Sequence, residues 1–311
     1  MLGLCLVAAF AMAAVVATSA SATLPEFGQC YPQATHEGKY TQSNCVEKAA
    51  KVKGKYTGEF EWRTVAEITA NKAFRENESV AHPGVLTAEY KLCSPGHMRR
   101  SGSCRSHGET EEVGGGPLPV ECTNEYHRGE ISGSKEVAHV GITFEKCALL
   151  GQAPCANTPN EQIQVNPLKG SLGYIKKSTK EVGILLTPEK APEPFAQFSC
   201  LGVITSVVGE GNATEGTAYK ENGEENRGGN DGVIAPITPV NEMVTDLVQT
   251  YTVNSKLENV PRRFAFGPRE SLESYEYSPF ESAESSRWSP AGQAVIAESH
   301  QEDGEQVEIK G

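Results

Sequence analysis

Apolar residues recur in short runs at every second position along this chain, and clusters of Gly, Pro, Asn and Ser separate the runs. A period of two puts alternate side chains on opposite faces of an extended backbone, so the pattern predicts β-strands joined by turns. The clearest are Tyr56–Trp62, Val137–Phe144, Ser171–Ile175, Val182–Leu186, Met243–Val253, Gln293–Glu298 and Gln306–Ile309. In Phe195–Val208 apolar residues dominate, which predicts one strand buried on both faces. Helical spacing is found only in Val46–Val52. The expected fold class is therefore all-β, an antiparallel sandwich or barrel with long loops.

Three segments lack this patterning. Leu92–Pro119 is rich in Gly, Ser, Arg and Glu and reads as a long ordered insertion. Gly209–Gly232 has almost no apolar residue, the composition of a mobile loop. Arg269–Trp288 mixes Ser and Glu with Tyr275, Tyr277, Phe280 and Trp288, whose aromatic rings argue against simple disorder. Gly38-Lys39-Tyr40-Thr41 and Gly54-Lys55-Tyr56-Thr57 are two similar passages from turn to strand, too few for an architectural repeat.

The apolar run Leu2–Val16, followed by the small-x-small site Ala20-Ser21-Ala22, predicts a secretory signal over residues 1–22. The run is shorter than the ~20 residues that span a bilayer as a helix. It has no leading Lys or Arg, so the leader is expected to begin upstream of Met1. Cys5 precedes most of the apolar run and is not placed for lipid attachment. Residues 23–311 are long enough to bury about three quarters of their unfolded surface, in one large domain or two packed β subdomains.

Export changes the reading of the cysteines. Once Cys5 leaves with the signal, an even set remains in an oxidising compartment: Cys30, Cys45, Cys93, Cys104, Cys122, Cys147, Cys155 and Cys200. Nearest-neighbour pairing gives Cys30–Cys45, Cys93–Cys104 and Cys147–Cys155, and leaves Cys122 for Cys200. A loop the size of Cys30–Cys45 stabilises by roughly 3 kcal/mol on the chain-entropy model.

The formal charge of −12 repels phosphate backbones and so disfavours nucleic acid as a partner. The acid is nearly all Glu; Asp231, Asp246 and Asp303 are the only aspartates. Calcium loops and Asp-assisted triads therefore have few residues to draw on.

Several segments together carry a resemblance. They are Leu24–Cys30, the Gly-Lys-Tyr turns with Cys45, Lys53–Trp62, Ile142–Cys147, Leu168–Ile175, Val182–Pro188, Phe198–Gly202 and Glu305–Ile309. In these the chain resembles a group of secreted, cysteine-containing, β-rich proteins from soil actinobacteria that has no assigned activity. The resemblance covers most of residues 23–311 and implies export and a β fold. It brings no catalytic residues with it, and the Leu92–Pro119 insertion departs from the pattern.

Candidate chemistry is sparse. Cys93, His97, Cys104 and His107 offer two thiolates and two imidazoles to a tetrahedral zinc. The oxidising compartment favours a Cys93–Cys104 disulfide instead, with both histidines solvated. Ser132-Gly133-Ser134-Lys135 matches S-x-x-K, but in a turn-like stretch and without a companion K-T-G. No G-x-S-x-G, H-E-x-x-H or P-loop is present, and no motif implies a cofactor. His127 and His139 flank a strand and read as packing or surface residues. Glu59 and Glu61 share one face of an expected strand, where solvent exposure is the plain reading. Trp62, Trp288, Tyr275 and Tyr277 could stack on sugar rings or fill a core equally well. Gly228–Gly232 with Glu224 and Glu225 lacks the spacing of a calcium loop. Asn77-Glu78-Ser79 and Asn212-Ala213-Thr214 are formal glycosylation sites that a bacterial source would leave unused.

Two classes of function remain. The favoured one is a non-enzymatic extracellular or cell-envelope protein, binding or structural, with an envelope or polysaccharide partner. The other is a secreted hydrolase acting on polysaccharide or cell wall through paired Glu carboxylates.

Overall fold

The computed structural model describes residues 24–34, 36–67, 71–76, 82–89, 117–190, 193–200, 203–209, 232–256, 258–265, 272–277 and 288–311. The expected signal at 1–22, the zinc candidates Cys93, His97, Cys104 and His107, most of the insertion, nearly all of Gly209–Gly232 and both glycosylation sites lie outside these residues.

Among the described residues the regular structure is β-strand with two 3₁₀ turns, and no helix is long and apolar enough to cross a membrane. Strand β1 (Glu26–Pro32) opens the chain, followed by the short hairpin β2 (Lys51–Val52) and β3 (Lys55–Tyr56), and by β4 (Phe60–Thr64). Eight up-and-down staves follow, most of them interrupted once. They are β5 (Lys72–Glu76) with β6 (Gly84–Glu89); β7 (Pro117–Cys122) with β8 (Asn124–Ile131); and β9 (Glu136–Glu145) with β10 (Cys147–Leu149). Next come β11 (Ala153–Ala156), β12 (Gln162–Gln164) and β13 (Leu168–Lys176), then β14 (Glu181–Pro188) with β15 (Ala196–Cys200) and β16 (Val203–Gly209) with β17 (Val233–Thr238). The seventh is β18 (Asp246–Val253), β19 (Asn259–Val260) and β20 (Leu272–Tyr277), and the eighth is the unbroken β21 (Trp288–Gln301). Strand β22 (Glu308–Lys310) ends the chain.

Every stave pairs antiparallel with its sequence neighbours, and β21 closes on β5 and β6. Two hydrogen-bonded circuits result. The first runs β5-β8-β9-β13-β14-β17-β18-β21 and the second β6-β7-β10-β11-β15-β16-β20-β21, with β21 common to both. The fold is thus an antiparallel barrel, and closure leaves the staves without free edges.

Alternation explains which residues fill it. In β18 Leu247, Gln249 and Tyr251 are buried between half-exposed neighbours. In β9 Val137 and Val140 both face inward although three apart, because a bulge at His139, in the left-handed region at φ 52°, shifts the register. Gly129 sits opposite Phe74, and a Cβ there would stand 2.6 Å from the ring, so glycine makes room for the aromatic. The outer face carries charge, including Arg128, Glu136 and Lys169. Cations there would each cost about 2–4 kcal/mol against lipid.

Strands β22, β1 and β4 form a separate three-stranded sheet that joins the two ends of the described chain. Phe27 donates its backbone N–H to the Ser134 carbonyl at 2.6 Å, and Val244 and Val307 exchange backbone bonds at 3.0 and 2.7 Å. This sheet caps the first circuit and adds Phe27, Val65, Val307 and Ile309 to the core.

One expectation is corrected: Phe195–Val208 is a hairpin, β15 and β16, with Cys200 opposite Val203. Val46–Val52, whose helical spacing is weak, is irregular until it ends in β2.

Candidate functional site

Among the described residues, the barrel interior holds a polar constellation built from three strands of the first circuit. Strand β8 points Glu125 and His127 inward, β18 points Gln249 and Tyr251, and β21 points Ser299; all five are less than a tenth exposed. His127 Nδ1 lies 3.2 Å from Glu125 Oε2, and His127 Nε2 lies 2.8 Å from Ser299 Oγ. Gln249 Nε2 donates to Ser299 Oγ at 3.2 Å, and the Tyr251 hydroxyl donates to Gln249 Oε1 at 3.0 Å.

Donor and acceptor roles fix the direction of the chain. Tyr251 donates to Gln249, Gln249 to Ser299, Ser299 to His127 and His127 to Glu125, with the proton assigned to Nδ1 by this pattern. Burial, with the nearby charge of Glu125, holds the Tyr251 phenol well above its ordinary range, so it remains a donor. A second buried pair, His82 and Glu76, lies at 4.0 Å on the first stave.

Ser299, His127 and Glu125 have the hydrogen-bond order of an acyl-transfer triad. Their surroundings do not suit one. Ser299 Oγ already accepts from Gln249, and the adjoining cavity is ≈ 10 Å³, lined by Phe74, Val137, Ile184 and Tyr251 among others. That is about the space of one water. A second cavity of ≈ 40 Å³ lies where the circuits meet, lined by Leu86, Val120, Phe144, Leu168, Phe195 and Phe198 among others. For comparison, an apolar cavity of about 150 Å³ holds benzene. The constellation therefore acts as a staple: each polar group finds a partner inside the barrel and ties β18, β21 and β8 together.

Of the residues singled out from sequence, His127 joins this constellation as a packed residue, and the other described ones fall elsewhere. Glu61 Oε2 accepts the Lys39 backbone N–H at 2.9 Å, and Glu59 faces His36 at 3.7 Å, both on the cap. His139 is an exposed residue, 2.9 Å from Glu189. Ser132–Lys135 is the turn between β8 and β9, where Lys135 pairs with Glu26 at 3.4 Å. Trp62 lies on β4, with the Lys310 ammonium 4.1 Å from its ring centroid. Tyr275 and Trp288 are backbone partners across β20 and β21. Asp246 is bonded to His300 at 2.7 Å and Asp303 to Lys72 at 2.8 Å.

The cysteines pair differently from the nearest-neighbour expectation. Cys30–Cys45 is bonded, but Cys122 joins Cys147 and Cys155 joins Cys200. The reason is register. Strands β7, β10, β11 and β15 are successive neighbours in the second circuit, and their cysteines line up in one buried row. Cys122 and Cys200 stand at opposite ends of that row, too far apart to bond. Compared with known proteins, the chain matches no protein-family model, no curated protein and no solved structure.

Proposed function

We propose that this chain is a secreted, non-enzymatic protein of the extracellular space or cell envelope, which meets its partner on its outer surface. The observation that carries the reading is the filled interior. The barrel's inward positions are taken by its own side chains, and Glu125, His127, Ser299, Gln249 and Tyr251 are hydrogen-bonded to one another. The cavities of ≈ 40 and ≈ 10 Å³ among the described residues are smaller than a sugar ring or an acyl chain. Three disulfides fit an oxidising compartment. The partner class consistent with a secreted protein of this charge is an uncharged or cationic envelope polymer, a polysaccharide foremost.

Co-sedimentation of the secreted protein with purified cell-wall polysaccharide tests the reading, run beside treatment with a fluorophosphonate and incubation with soluble dye-linked polysaccharides. Retention on the wall fraction, no labelled serine and no released dye are expected. Labelling of Ser299, or dye release, would replace a binding protein by a hydrolase.

A further inference from the structure

Cys122, Cys147, Cys155 and Cys200 form an unbroken row across four adjacent strands. Cys147 is the register partner of Cys155, and Cys155 of Cys200. The pairing of Ala148 with Glu121 and Leu149 with Val120 carries the same register on to Cys147 and Cys122. Directly opposed residues of an antiparallel pair have Cα atoms about 4.5–5.5 Å apart, within the span that a disulfide bridges. Cys147 therefore has a cysteine opposite it on each side: Cys122, at a Cα separation of 4.0 Å, and Cys155 on the other neighbouring strand. The row is buried within the second circuit, which keeps all four sulfurs together and apart from Cys30–Cys45 on the cap.

We infer that these four cysteines act as one redox unit, in which a single remaining disulfide migrates along the row after two-electron reduction. A dithiol reductant delivers two electrons and two protons to Cys122–Cys147, leaving two thiols, and is itself oxidised to a disulfide. The Cys147 thiol gives up its proton and attacks Cys155 Sγ; the Cys147–Cys155 bond forms, the Cys155–Cys200 bond breaks, and Cys200 leaves as a thiolate that takes up the proton Cys147 released. No strand has to separate for this exchange. The barrel wall keeps one cross-strand staple throughout, while the free thiol pair shifts from Cys122 and Cys147 to Cys122 and Cys200. Reducing power entering at β7 is thereby passed to β15, three strands away.

The test uses the full mature chain with Cys122→Ser, which leaves the Cys147 thiol beside an intact Cys155–Cys200 bond. After incubation at pH 8.5, acid quench and alkylation in denaturant, non-reducing peptide mapping should find label on both Cys147 and Cys200, with a Cys147–Cys155 bridge. Label on Cys147 alone, unchanged after a day, would overturn the inference. So would any bridge between the row and cysteines outside it, because that marks scrambling through unfolding. The double variant Cys122→Ser/Cys200→Ser should oxidise to a Cys147–Cys155 bond, and two persistent thiols there would also refute it. If neither variant folds, wild-type protein with one disulfide opened by a phosphine is mapped in the same way and judged by the same outcomes.

Discussion

Ser299 Oγ stands 2.8 Å from His127 Nε2, although their strands β21 and β8 are separated by β5. The contact reaches over β5 on the inner face of the wall, and β21 lies beside β5 only because the ring closes. Removing one partner leaves the others buried with an unmet donor or acceptor, at a cost of about 1–3 kcal/mol. Ser299→Ala and His127→Leu are each expected to lower stability to urea by that amount, and Tyr251→Phe, which deletes only the terminal donor, by about 1 kcal/mol. A double-mutant cycle between Ser299 and His127 that gives simple additivity would mean that the bond contributes nothing.

Lys72 latches the barrel to the segment before β22. Its side chain is nine-tenths buried, and its ammonium is bonded to Asp303 at 2.8 Å and to Glu305. Burial alone would lower the Lys72 pKa, but the hydrogen bonds and charges of Asp303 and Glu305 raise it above the ordinary 10.5. A raised cation contributes stability that is complete below the unfolded pKa and is lost as pH climbs through the folded one. The latch should therefore weaken only above about pH 10.5. Asp303→Asn/Glu305→Gln leaves the ammonium buried without a counter-charge, and is expected to cost more than Lys72→Met, which leaves two carboxylates facing water. Urea midpoints of the two variants measure this, and the reverse order would remove the latch.

Acid acts at different groups. For Asp246, burial pushes the pKa upward, but the Thr245 and His300 hydrogen bonds and the charge of His300 bring it below its ordinary 3.8. Asp303 is lowered in the same way by Lys72, against its own burial. A depressed carboxylate contributes stability that is present above the unfolded pKa and lost as pH falls through the folded one, here below about pH 4. The Asp246→Asn variant should lie closest to wild type at the acid extreme and furthest below it near neutrality. Thermal melts at pH 3 and pH 7 read this difference, and an equal gap at both would contradict it.

How much of this was legible in the sequence depended on range. Val137–Phe144 and Val182–Leu186 announce themselves because one face is buried, and burial imposes a period of two. Phe195–Val208 concealed a reversal because Leu201-Gly202 is a faint turn signal inside an apolar stretch. The alternation of Leu247, Gln249 and Tyr251 already put a glutamine at an inward position, the one local hint of an internal polar network. Its partners could not be named, since His127 and Ser299 are 172 residues apart and meet only through ring closure. The pairing of Cys30 with Cys45 was legible, but that of Cys122, Cys147, Cys155 and Cys200 was not, because separation along the chain says nothing about which strands are neighbours in the circuit.

Packing supplies the last test, because two substitutions that add carbon to the interior should have opposite effects. Ala196 borders the ≈ 40 Å³ cavity where the circuits meet, and Ala196→Val extends two methyl groups into apolar space on a strand that favours β-branching. Each buried carbon is worth about 0.8 kcal/mol, so a gain of about 1 kcal/mol is expected after some loss to imperfect fit. Gly129→Ala adds a single carbon, but it lands 2.6 Å from Phe74 and 3.1 Å from Val140. Phe74 lines the ≈ 10 Å³ cavity beside Glu125 and His127, so its ring has little room to retreat, and a loss of about 1–3 kcal/mol is expected. Urea denaturation of the two variants decides the matter. A stabilising Gly129→Ala would mean that the first circuit is loosely filled, and an interior with that much slack could admit a ligand after all.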